Sequence, residues 1–224
     1  MSENLCNFAA VKEIVLDGIL PRVFLEREDL GGDIWRQRVV LERGGVYLVE
    51  AASGTGKSSL CGFLAGYRRD YEGRLLMDGR EARSLRTEEW VEIRRRHVSL
   101  LFQELRLFPE LTALENVEIK NQLTRHKTQR EILDWFGALG LSDKVNARVG
   151  QMSFGQQQRV AMIRALCQPF DFLLADEPVS HLDDQNARVM SQVMTEEAGR
   201  QGAAVLVTSI GKRMELSYDK TFSL

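Results

Sequence analysis

The sequence predicts an α/β fold built on a largely parallel sheet. Two patterns carry that prediction. Compact apolar runs of strand length alternate with longer stretches of helical periodicity, and the first run leads through a Gly-rich turn into a helix. At 224 residues the chain is one large domain or two small ones, long enough to bury a sizeable core. Residues 46–51 (VYLVEA) read as a buried strand, and 57–65 as the helix after the turn. Residues 97–102 (HVSLLF), 170–175 (FDFLLA) and 203–208 (AAVLVT) are further strands, each dominated by apolar residues. Residues 160–166 read as helix, with Val160, Ile163, Ala165 and Leu166 apolar. The stretch from 105 to 148 holds helical patterns such as TQREILDWFGALG and no convincing strand, so it is expected to be a helical subdomain inserted into the core. There is no internal repeat, no low-complexity tract and no Pro-rich linker.

Composition removes several classes. The chain is 44% hydrophobic, which argues against disorder. Lys and Arg total 30 and Asp and Glu total 32, a net charge of −2, so attachment to nucleic acid by bulk charge is not expected. No run approaches the roughly 18 apolar residues that cross a bilayer. The opening MSENLCNFAA carries Glu3 and no apolar centre, unlike a secretory signal. Cys6, Cys61 and Cys167 are scattered without CxxC spacing and read as free thiols in a reducing compartment. The cluster Arg94, Arg95 and Arg96 follows Glu88, Glu89 and Glu92, which reads as a solvated, salt-bridged helix face.

The turn after the first strand carries chemistry. Ser53, Gly54, Thr55, Gly56, Lys57, Ser58 and Ser59 lie between a strand and a helix, the setting a phosphate-binding P-loop needs. Glycines 54 and 56 let the backbone turn tightly and bring N–H groups near phosphate oxygens. The helix N-terminus adds partial positive charge and unpaired donors. Lys57 is placed to lie between β- and γ-phosphates, and Ser58 to offer a hydroxyl to Mg²⁺. Ala51 stands where the pattern G-x-x-x-x-G-K-[ST] has its first glycine, and alanine fits there if its φ is negative. The core is thus expected to be that of a P-loop NTPase.

The strand at 170–175 runs into Asp176, Glu177 and Pro178. Successive side chains of a strand point to opposite faces, so two adjacent acids can take different roles. Asp176 is placed to hold Mg²⁺ through water, and Glu177 to polarise an attacking water as a general base.

A second helix start is also expected. Ser153 is a favourable N-cap and Gln156, three residues on, completes a capping box. The run MSFGQQQRVAMIRAL, just ahead of FDFLLADEP, resembles the signature motif of ATP-binding cassette (ABC) proteins, LSGGQ followed by QRVAIARAL. Met152 replaces Leu and Phe154 replaces the first Gly, while Ser153, Gly155 and Gln156 match. The resemblance covers nearly the whole chain from about residue 14. It implies N-terminal antiparallel β elements and a single nucleotide-binding domain. The core of that domain falls at about 1–102 and 151–224, with the inserted helical subdomain at about 103–150. It also implies that Ser153, Gly155 and Gln156 bind the γ-phosphate of ATP held by a second nucleotide-binding subunit, in a homodimer or a heterodimer.

Other family elements follow by resemblance. Gln103 matches the Q-loop glutamine, which contacts Mg²⁺ or the attacking water. Ser180-His181-Leu182-Asp183 matches the D-loop pattern SALD, with Asp183 shaping the site across the dimer. Phe24 sits where the family stacks an aromatic on adenine. Ser209 falls where the family has a switch histidine that contacts the γ-phosphate, and no nearby histidine is expected to replace it, since His97, His126 and His181 fall elsewhere in the chain. Slow ATP turnover is therefore expected, and a regulatory subunit with little turnover is the alternative.

Chain length separates this sequence from the coiled-coil chromosome-handling cassettes and from tandem translation-factor cassettes. What it resembles is the ATPase subunit of a transporter whose membrane permease is a separate chain, peripheral on the cytoplasmic face of the inner or plasma membrane. The docking surface is expected near residues 103–118. The run RRRHVSLLFQELRLFPELTALENVEI is similar to cassettes of the lipoprotein-releasing, macrolide-exporting and cell-division class, which work mechanically on a membrane subunit.

Overall fold

The computed structural model describes residues 10–27 and 30–224; Cys6 and the rest of the opening segment lie outside them. Two sheets form the core. The first is antiparallel, in the order β2-β1-β4-β5, from β1 (Glu13–Pro21), β2 (Arg38–Glu42), β4 (Tyr71–Met77) and β5 (Arg80–Glu81). The second is parallel throughout, in the order β6-β7-β8-β3-β9, from β3 (Val46–Glu50), β6 (Val98–Leu101), β7 (Phe172–Asp176), β8 (Ala204–Ser209) and β9 (Lys220–Ser223). The mostly parallel sheet of the sequence reading thus resolves into one parallel and one antiparallel sheet.

The central parallel strands are buried along their whole length because both faces are covered there, whereas edge strand β9 buries only Phe222. Every residue of β7 and β8 is buried. Alternation sends Leu48, Leu173 and Val205 to one core and Val49, Leu174 and Leu206 to the other. The first core packs against α5 (Phe154–Leu166), α6 (Asp184–Gln201) and the helices of the 105–148 stretch. The second packs against α1 (Lys57–Leu64), α2 (Thr87–Arg96) and the antiparallel sheet.

Strand β7 begins two residues later than its apolar run suggests. Phe170 and Asp171 are spent on anchoring: Asp171 accepts from the Val11 amide at 2.7 Å, pairs with Arg43 at 3.1 Å and meets His97 Nδ1 at 2.6 Å. The 105–148 stretch contains α3 (Ala113–Asn121) and α4 (Gln129–Ala138) and no strand, only an isolated bridge between Thr112 and Arg148. Both helices open with a full capping box, Thr112 with Glu115 and Thr128 with Glu131. Polar contacts to α5 and α6 fasten this arm. Lys127 Nζ lies 2.9 Å from Glu197 on α6, and Arg159 on α5 donates to the Leu139 carbonyl at 2.6 Å and to Asn186 Oδ1 at 2.8 Å.

Arg95 and Arg96 both pair with Glu92 at 2.7 Å, as the solvated-face reading expects. Cys61 and Cys167 are free and buried, and burial raises both thiol pKa values, Cys167 to about 12, so both are unreactive. No helix among the described residues is long and apolar enough to cross a membrane.

Candidate functional site

Parallel register gathers the site at one sheet edge. Glu50 at the end of β3 pairs with Ser209 at the end of β8, and Thr208 pairs with Asp176 at the end of β7. The turn after β3, the acids after β7 and residue 209 therefore meet where the strands stop, the usual ligand edge of such a sheet.

The turn has the expected form. Gly54 and Gly56 adopt φ of 78° and 102°, and α1 starts at Lys57. Ala51 has no positive φ, so alanine is accommodated there. A residue that sequence reasoning missed holds the turn from below: the buried Trp35 indole donates to the Thr55 carbonyl at 2.9 Å. A Cβ on Gly56 would come within 2.9 Å of the Trp35 ring and 3.0 Å of Phe24. Glycine is thus demanded there by packing as well as by φ. Nothing in the local pattern around Trp35 signals this contact.

A cleft of about 360 Å³ opens beside the turn, lined by Val23, Phe24, Ser53, Gly54, Gly56, Lys57, Ser58, Ser59, Gln103, Glu177 and Ile210. Lys57 is 5% exposed, and its ammonium reaches the Ala51 and Ala52 carbonyls at 3.2 and 2.9 Å and Glu177 at 3.7 Å. Ser58 Oγ donates to Gln103 Oε1 at 3.4 Å, and Gln103 Nε2 donates to Glu177 Oε2 at 3.4 Å. Asp176 is buried, its Oδ1 accepting from Thr208 Oγ1 at 2.6 Å. Burial pushes the Glu177 carboxyl above its ordinary range; Lys57 opposes this and the Asp176 charge adds to it. A carboxyl with a raised pKa, facing a cleft, is what a general base requires.

The backbone of Glu177 is unusual as well, with φ of 50°. That left-handed conformation is unfavourable for a side chain with a Cβ. It is pinned by the Glu177 amide donating to Thr208 Oγ1 at 3.1 Å and by Gln158 Nε2 donating to the Glu177 carbonyl at 3.1 Å.

Several expected residues are also held by contacts of their own. Phe24 is 8% exposed and packed in the second core, so it does not present an open ring; neighbouring Val23, 70% exposed, carries the open apolar surface. Ser59 Oγ accepts from Arg68 at 2.7 Å, on the side that also binds Asp70. Ser209 Oγ donates to the Lys212 carbonyl and accepts from the Gly211 amide, closing its own turn, and Ile210 faces the cleft instead.

Ser153, Gly155, Gln156 and Asp183 lie outside the cleft. Ser153 caps α5 with the expected reciprocal bonds to Gln156. Gly155 is fixed by closeness: a Cβ there would sit 3.1 Å from Leu182 and 3.3 Å from the His181 carbonyl. Asp183 caps α6, accepting from the Asn186 amide at 2.9 Å and from its side chain at 2.6 Å. His181, read from the sequence as part of the D-loop match and as no replacement for a histidine at 209, contacts the residue that bonds the Glu177 backbone. Ser180 Oγ, bonded to the Glu177 carbonyl at 3.2 Å, meets His181 Nδ1 at 2.9 Å.

A glycine-rich turn holding a buried lysine opposite an acidic strand end defines a P-loop nucleotide-binding protein. Residues 37–180 match the ABC transporter family, and the chain belongs to that family of ATP-binding cassettes. It is 36% identical over 177 residues to the macrolide export ATP-binding/permease protein MacB of Rhodopseudomonas palustris (strain HaA2). It is 33% identical over 178 residues to the MacB protein of Bartonella quintana (strain Toulouse). Each alignment covers 76% of this chain and 26% of the relative, so the chain spans about a quarter of the length of the curated relatives it matches. Among solved structures, the dimeric bacterial ABC transporter cassette MJ0796 superposes with a TM-score of 0.75 at 27% identity, covering 88% of this chain and 87% of that one. The same cassette in a post-hydrolysis state with ADP and phosphate gives 0.74 at 26% identity.

Proposed function

We propose that the chain binds MgATP and hydrolyses it, and that two such cassettes closing on ATP drive a membrane permease. The observation that carries this reading is Glu177, a cleft-facing carboxylate of raised pKa joined to Lys57 and, through Gln103, to Ser58. Lys57, the turn amides from Ser53 to Ser59 and the start of α1 bind the phosphates. Glu177 takes a proton from the attacking water, with Gln103 holding the carboxylate in place. Val23, with Phe24 beneath it, forms the apolar floor for the base.

The donor set fits Mg²⁺. Among the described residues no cluster of three or more His, Cys, Asp or Glu could hold a metal alone. The Ser58 hydroxyl, Gln103 and, through water, Asp176 would hold the ion, oxygen donors of the kind Mg²⁺ takes. Thr208 orients Asp176 for this, as an outer partner does for a metal ligand. When bound, Mg²⁺ neutralises phosphate charge as phosphoryl transfer proceeds.

Ser153, Gly155, Gln156 and Asp183 lie outside their own cleft, which suits a role toward nucleotide in a second subunit. The domain reading is one cassette, with its core at 1–102 and 151–224 and a helical arm at 103–150 that docks the permease near 103–118. The permease is proposed to be a separate polypeptide, although relatives named ATP-binding/permease proteins combine the two. The cassette would lie on the cytoplasmic face of the membrane. Turnover is expected to be slow, because the Ser209 hydroxyl is committed to its own turn.

The test is steady-state phosphate release by the full chain against Glu177→Gln. A wild-type rate no higher than that of Glu177→Gln, with the permease present, would overturn the reading. Light scattering of Glu177→Gln with ATP should give twice the monomer mass.

A further inference from the structure

We infer that His181 is a positioning residue for Glu177, acting through the Ser180 hydroxyl. This rests on the hydrolase reading above and names a further part of the same site. The Glu177 carbonyl accepts from Gln158 Nε2 at 3.1 Å, from Ser180 Oγ at 3.2 Å and from the Ser180 amide at 3.4 Å. Those bonds hold a residue at φ 50°, a conformation that relaxes without them.

The Ser180 hydroxyl has one proton, and the Glu177 carbonyl takes it. The 2.9 Å contact to His181 Nδ1 is then a bond that the ring donates and the hydroxyl accepts. A hydroxyl that accepts one bond donates a stronger one, so the imidazole tightens the grip on Glu177. The ring itself is fixed by an edge contact with Phe154, with centroids 4.5 Å apart and planes at 64°. The order of contact is Phe154, His181, Ser180, Glu177.

Phe154 and His181 touch each other, and through Ser180 the pair reaches the backbone carbonyl of Glu177.

The experiment measures phosphate release by the full chain over a range of ATP concentrations. His181→Phe keeps a ring against Phe154 and removes the donor; His181→Asn keeps a donor near the Nδ1 position. Positioning predicts that His181→Phe lowers kcat about tenfold at unchanged KM, the pattern of an interaction expressed in the transition state. His181→Asn should restore most of that rate. Ser180→Ala should lose as much as His181→Phe, and the double variant no more, because both act through one bond. Should His181→Phe not fold, Ser180→Ala alone carries the same reading. The inference is overturned if His181→Phe or Ser180→Ala turns over like wild type while wild type still exceeds Glu177→Gln. If wild type does not exceed Glu177→Gln, the hydrolase reading fails first.

Discussion

Glu177 and Glu197 are both carboxylates beside a lysine, and the fold treats them in opposite ways. Glu197 sits on α6, 1% exposed, with Lys127 at 2.9 Å, Gln201 Nε2 at 2.7 Å and Arg200 at 3.4 Å. Burial alone would raise its pKa, but the bonds from its neighbours overcome this and pull it down to about 2. Glu177 has Lys57 at 3.7 Å and Gln103 at 3.4 Å, and its pKa moves up. The structural carboxylate is saturated with short bonds, and the cleft carboxylate is left short of them. Proximity to a lysine does not set a carboxylate's role; the number and length of the bonds it accepts does.

The sharpest way to break this contrast is Glu177→Gln. Loss of a general base should cut phosphate release by roughly 10²–10⁴-fold. Stability in urea should shift by under about 1 kcal/mol, because Lys57 keeps its bonds to the Ala51 and Ala52 carbonyls. Glu197→Gln should do the reverse. It removes the shorter of the two carboxylate contacts of Lys127, leaving Glu131 at 3.4 Å, and should cost about 1.5–3 kcal/mol of stability, with turnover per folded molecule unchanged.

Acid titration sharpens the comparison. The folded pKa of Glu197 lies below its ordinary 4.5, so its stabilisation is present above 4.5 and is lost as pH falls toward 2. The stability gap between wild type and Glu197→Gln should close over that window. Glu177 has the opposite sign: its raised pKa means that ionising it weakens the fold as pH rises. A gap that persists at the acid end would sink the assignment of Glu197. The smallest effect is expected at Trp35→Phe, which removes the bond to Thr55 beneath the phosphate turn. It should cost about 1–2 kcal/mol, read by thermal melting, and weaken ATP binding several-fold.

What was legible in the sequence was what neighbouring residues decide among themselves. The turn from Ser53 to Ser59, the acids after β7 and the Ser153–Gln156 cap each need only a short span and a known periodicity. The antiparallel sheet came from resemblance alone, since β1 is buried on both faces over much of its length and shows no clean alternation. Trp35, Val23 and His181 escaped for a different reason. Their roles depend on contacts that only the folded chain makes. His181 lies four residues past Glu177, and its contact with Ser180 exists only in the folded chain. Phe24 lines the cleft and is packed into the second core as well, a double placement that only the folded chain shows.

The bonds made by Arg159 join parts of the molecule that the chain keeps apart. Its guanidinium grips the Leu139 carbonyl after α4 and the Asn186 side chain, whose amide in turn holds Asp183. The far end of the helical arm and the aspartate of the D-loop are thereby links of one polar linkage. Tilting the arm against the core either drags Asp183 along or ruptures charge-assisted bonds, each worth about 1.5–3 kcal/mol. While those bonds hold, the end of α4 and the Asp183 cap of α6 keep one fixed spacing.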